Sequence, residues 1–129
     1  MSLGDPTAEV EQQLAECERL LYSQPADAEA GLRPLLTHAR QIQDVELEVR
    51  CLVLLCGAMF LQAHYSQTVE YALVALDLSR DLELPSLEAR CQNALGLAYD
   101  RMGQSDKALD ALIASLELAQ RHGDNEGRC

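Results

Sequence analysis

A self-match at an offset of forty residues constrains this chain more than any other feature. Glu48-Val-Arg-Cys51 returns as Glu88-Ala-Arg-Cys91, and a related phrase, Glu126-Gly-Arg-Cys129, follows thirty-eight residues later. Ala75-Leu-Asp-Leu-Ser79 aligns on Ser115-Leu-Glu-Leu-Ala119 at the same offset of forty. An offset of eighty sets Ala28, Leu32, Leu36, Ala39 and Asp44 on Ala108, Leu112, Leu116, Ala119 and Asp124. Self-similarity at such a period marks a repeat architecture, in which one supersecondary unit buries its apolar face only against its neighbours.

The repeated unit is helical. From Thr7 to about Ser23, Val10, Leu14, Cys17 and Leu21 step by four, three and four, which is one helix face. A second helix is expected from about Ala26 to Ile42, with Ala28, Leu32, Leu35, Leu36 and Ala39 inward. Pro34 lies inside it and is expected to kink it. Asp44 to about Ala63 is apolar nearly all round and should be the central helix. His64-Tyr65-Ser66 is expected to form the next turn, before a helix over Gln67 to Leu82 lined by Val69, Ala72, Leu73, Leu76 and Leu78.

Ser86 to His122 is the fullest copy, two amphipathic segments about a polar break at Gly103-Gln104-Ser105-Asp106. Gly96 and Ala108 would let its two helices approach closely, and Gly123 is expected to end the second. Asp44, Asp106 and Asp124 are expected to cap helix starts. The expected fold is therefore all-α, a right-handed α-solenoid of about three stacked helical hairpins. Its divisions are a disordered lead over 1–6, hairpins over about 7–43, 44–84 and 85–122, and the start of a truncated further repeat over 124–129.

Leu95-Gly96, Tyr99, Gly103, Ala108, Leu112 and Ala119, with Tyr65 and Ala75 one repeat earlier, stand where the tetratricopeptide repeat family places its signature residues. Over about 26–129 the chain resembles that family, in its long variety of about forty residues. Departures are plain: Gln92 replaces the early tryptophan, Cys56 a paired glycine, Ser105 a turn aromatic and Gln120 the closing proline. The resemblance implies a protein-binding module, often the regulatory segment of a bacterial multidomain signalling protein, such as one ending in a diguanylate cyclase or a transcriptional regulator. By the family pattern the first helix of each hairpin lines a concave groove. That places Arg50, Val53, Gly57, Phe60 and Leu61 on the groove in one repeat, and Arg90, Asn93, Leu97, Asp100 and Arg101 in the next. Arg50 and Arg90 would there fork a carboxylate of an acidic or C-terminal peptide, unless Glu46, Glu48 or Glu88 pairs with them first.

Composition narrows the function classes. A formal charge of −11, with Lys107 as the one lysine, argues against a phosphate-backbone partner. No apolar run approaches the roughly 18 residues that span a bilayer, and the N-terminus lacks the pattern of a secretory signal. Five cysteines without a C-x-x-C pair sit mostly at apolar helix positions, the pattern of a reduced, cytoplasmic protein. His38, His64 and His122 lie far apart, and no phosphate loop, nucleophile elbow or metal-ligand spacing is present. The expectation is a non-enzymatic module, without cofactor or metal, whose partner is a protein, a peptide or another domain of the same polypeptide. The alternative is a homodimer formed through an apolar end face near Ala111 to Leu118. Because that face has no evident cover and Glu126-Gly-Arg-Cys129 reads as the first turn of another repeat, the chain is expected to be a fragment of a longer protein.

Overall fold

The helix boundaries are set by one turn used four times. The computed structural model describes residues 6–127, with side chains over 7–121, and the lead expected over residues 1–5 lies outside them. Six helices follow one another: α1 (Pro6–Leu20), α2 (Pro25–Gln41), α3 (Val45–Leu61), α4 (Tyr65–Asp81), α5 (Pro85–Arg101) and α6 (Ser105–Gly127). Helices α2 to α5 are each 17 residues long. After each, the second residue past the helix has a positive φ: Gln43, Ala63, Glu83 and Gly103. The next residue sends its amide back to a carbonyl five positions earlier, as in His64 N to Met59 O at 2.8 Å and Gln104 N to Tyr99 O at 2.9 Å. This is the Schellman arrangement, which satisfies the last helical carbonyls and stops the helix.

The forty-residue match thus divides into two helix-plus-turn steps of equal length. The turn after α1 differs, with no left-handed residue and a Gln24 N to Leu20 O bond instead. It is one residue longer, which is why α1 aligns poorly with α3 at an offset of forty and with α5 at eighty.

Caps and breakers explain the remaining edges. Asp44 caps α3, accepting from the Leu47 amide at 3.1 Å. Pro25 and Pro85 open α2 and α5, where the missing amide costs nothing. The turn expected at His64-Tyr65-Ser66 lies earlier, at 62–64, and Tyr65 already belongs to α4. Helix α2 runs unbroken through Pro34. The amide that Pro34 lacks would have met the carbonyl of Ala30, on the exposed side of the helix. Gly123 does not end α6, and Asp124 does not start a helix, since α6 continues to Gly127. Arg128 and Cys129 lie outside the described residues.

The helices form two layers. α3 packs against α1, α2, α4 and α5, whereas the backbones of α2, α4 and α6 stay apart, α2 reaching α4 through the Arg33 guanidinium, which donates to the Tyr71 hydroxyl at 3.1 Å. The inner layer is therefore α1, α3 and α5, and the outer layer is α2, α4 and α6. α3 is the most buried helix, with all six residues from Cys51 to Cys56 in the core. The seam of the last hairpin depends on Gly96, where a Cβ would stand 2.5 Å from Leu112 Cδ2 and 3.2 Å from the Ala108 carbonyl. One expectation about the core fails: Leu73 is exposed on α4, outside the face that Ala72, Ala75 and Leu76 bury.

Candidate functional site

The repeated Glu-x-Arg-Cys phrase separates into three roles once its side chains are placed. Its glutamates clamp successive hairpins together. Glu48 accepts from Arg40 Nε at 3.0 Å, and Glu88 accepts from Arg80 Nε at 3.2 Å, so α3 is latched to α2 and α5 to α4 in the same way. Its cysteines are core: burial pushes the Cys51 and Cys91 thiols up to about 11 and raises Cys56 as well. A thiol so displaced from neutral pH is a small hydrophobe and not a nucleophile. Among the described residues no group of histidine, cysteine or carboxylate side chains is arranged to hold a metal ion.

Its arginines face the inner layer, and there the two copies part. Arg50 is held in a bidentate pair by Glu11 of α1, with Nη1 to Oε2 at 2.7 Å and Nη2 to Oε1 at 2.8 Å. Those two hydrogen bonds hold the Glu11 carboxyl below its ordinary range. The pair lines a pocket of about 420 Å³ between α1, α2 and α3, beside His38 and Leu47. Arg90 is exposed and makes no ion pair or side-chain hydrogen bond among the described residues. Neither arginine pairs with Glu46, Glu48 or Glu88; the carboxylate that meets Arg50 comes from a neighbouring helix.

Arg90 lies on a groove of about 450 Å³ that runs across the inner layer. Leu21 and Tyr22 just past α1, Val53, Cys56, Gly57, Phe60 and Leu61 of α3, and Ala89, Arg90, Asn93, Ala94 and Leu97 of α5 line it, with Ser115 from α6. The spacing 53, 57, 60 on α3 and 90, 93, 97 on α5 is one helix face in each case, so the helical period places these residues together. Gly57 brings the end of α1 close, since a Cβ there would stand 3.2 Å from Leu21 Cδ2. Ser115 donates to the Ala89 carbonyl at 2.9 Å, tying α6 to the back of the groove wall.

Of the residues expected on this surface, the structure brings Val53, Gly57, Phe60, Leu61, Arg90, Asn93 and Leu97 into one groove. Arg101 stands beside it, its guanidinium carbon 5.3 Å from the centre of the Phe60 ring, and Phe60 also meets Tyr65 at 5.4 Å. A cation over an aromatic face is attracted by the ring quadrupole, which favours this placement of Arg101 on Phe60. Asp100 is exposed on α5 and does not line the groove. Arg50 stands apart, in the pocket with Glu11, because α1 reaches it. Leu21 and Tyr22 were missed from sequence. The extra residue after α1 shifts them out of the forty-residue alignment that located the others.

Comparison with known proteins bears on the fold. No family model matches the sequence, and no curated protein matches it. Among solved structures, the TPR domain of Arabidopsis FLU superposes with a TM-score of 0.81 at 19% identity, covering 89% of this chain and 98% of that one. The chain therefore has the fold of a tetratricopeptide-repeat domain, an all-α stack of helical hairpins. No helix among the described residues is long and apolar enough to cross a membrane.

Proposed function

We propose that this chain is a non-enzymatic protein–protein interaction module that holds a peptide, or a segment of a partner domain, along the groove between α1, α3 and α5. The observation that carries the reading is the groove itself. It combines an apolar floor, an arginine without a partner among the described residues, and an Arg101–Phe60–Tyr65 cluster at its edge. Grooves of this make-up, mostly apolar with a few placed polar groups, suit an extended segment. The formal charge of −11 disfavours a nucleic acid in the same place. The resemblance to long-repeat signalling proteins extends the reading to a regulatory segment, whose partner is a separate protein or another domain of the same polypeptide.

The test is a selection of random peptides, displayed with free and with blocked C-termini, against the intact chain. Peptides are expected to emerge whose binding is lost in Leu97→Asp, with helical circular dichroism unchanged. Failure to select any peptide, or peptides indifferent to Leu97→Asp, would overturn the groove reading.

A second reading, self-association, has its own observation. Leu36 and Leu76 are each 5% exposed beneath the next hairpin, whereas Leu116, their counterpart on α6, is 64% exposed beside Leu109 and Ile113. The face that binds the next hairpin twice within the stack is open on α6, and a second copy covering it would make a dimer. Sedimentation showing a monomer at high concentration would remove this reading.

A further inference from the structure

We infer that the groove takes a segment presenting a side-chain carboxylate to Arg90, with an apolar residue beside it over Val53 and Leu97. This rests on the groove reading and names the chemistry of its ligand.

The chain carries an internal template for this contact. Arg50 and Arg90 each lie eleven residues before the end of their helix, at Leu61 and Arg101. Arg50 shows what such a position accepts: a carboxylate delivered across the inner layer, gripped by both terminal nitrogens at 2.7 and 2.8 Å. That carboxylate belongs to Glu11, nine residues before the end of α1. The same place on α3, nine residues before Leu61, is Leu52, which is apolar and wholly buried. Nothing on α3 can do for Arg90 what Glu11 does for Arg50.

The nearest carboxylate on its own helix, Glu88, is turned the other way to Arg80. The groove lining contains no aspartate or glutamate, although the chain has 21 acidic residues. An unpaired guanidinium on an apolar floor, inside an otherwise acidic molecule, is complementary to an acidic, partly apolar segment and repels a basic one. Asn93, one turn further along the groove, offers both a donor and an acceptor to that segment's backbone.

The peptides selected on the intact chain supply the probe. Selected sequences are expected to carry Asp or Glu within a few residues of an aliphatic or aromatic side chain, including when their C-termini are blocked. Replacing that acid by its amide should weaken binding by about tenfold or more, as should Arg90→Gln in the protein. The loss should be smaller at high salt, where the charge interaction is already screened. Arg50→Gln should leave peptide affinity within about twofold, because that guanidinium is already engaged and lies outside the groove. Selected peptides that lack acidic residues, that bind only through a free C-terminus, or that bind Arg90→Gln unchanged would overturn this inference. Each of those outcomes leaves the groove reading standing, whereas loss of selection altogether removes the reading beneath it.

Discussion

Glu48-Val-Arg50-Cys51 and Glu88-Ala-Arg90-Cys91 are the same phrase in successive hairpins, and their surroundings decide what each residue does. Both glutamates latch to an arginine eight positions earlier, and both cysteines are buried. The arginines differ, because α1 supplies Glu11 to one and α3 supplies Leu52 at the corresponding place to the other. Where neighbours repeat, a repeated residue is architecture. Where the neighbour changes, the same residue is left available for a ligand.

The contrast is broken most severely in the core. Leu52 is wholly buried in α3, while its counterpart in α5 is Gln92, buried but polar. Leu52→Ala should cost about 2–5 kcal/mol, and Gln92→Ala about 1 kcal/mol, in urea denaturation of the whole chain. Equal costs would mean that the two inner helices are packed alike.

The turns give an intermediate effect. Ala63 and Gly103 share the left-handed turn position, with φ of 65° and 78°. Ala63→Gly should stabilise by about 1 kcal/mol, and Gly103→Ala should destabilise by a similar amount. A Cβ at Gly103 meets nothing within 4 Å, so any loss there is a backbone effect. Thermal midpoints moving the same way in both variants would contradict the shared turn.

The arginines themselves give the smallest change in stability. Arg50→Gln removes a half-exposed ion pair and should cost up to about 1 kcal/mol. Arg90→Gln should stay within about 0.5 kcal/mol of the parent. If Arg90→Gln is the more destabilising of the two, Arg90 has a structural partner and its availability for a ligand is lost.

Most of the architecture was legible in the sequence because helical period and repeat period are both written in side chains. Val53, Phe60, Arg90, Asn93 and Leu97 could be placed on one groove from spacing and resemblance alone. What could not be read were events that depend on a neighbour. Arg50 left the expected set because Glu11 reaches it from a helix that the forty-residue match does not align. Leu21 and Tyr22 joined the groove through the longer turn after α1. The turn residues were half visible: Gly103 announces a left-handed position, but Gln43, Ala63 and Glu83 occupy the same one without glycine. Gly123 shows the reverse, a glycine in a stretch that stays helical.

The deep burial of α3 has a consequence for how a ligand in the proposed groove would be held. The groove floor, at Val53, Gly57 and Phe60, belongs to a helix whose opposite face is locked in the core. Such a floor has little conformational freedom left to lose when something settles on it, so the ordering entropy of association falls mainly on the incoming segment. Stiffening that segment in its extended form, instead of reshaping the protein, is then the direct route to tighter binding.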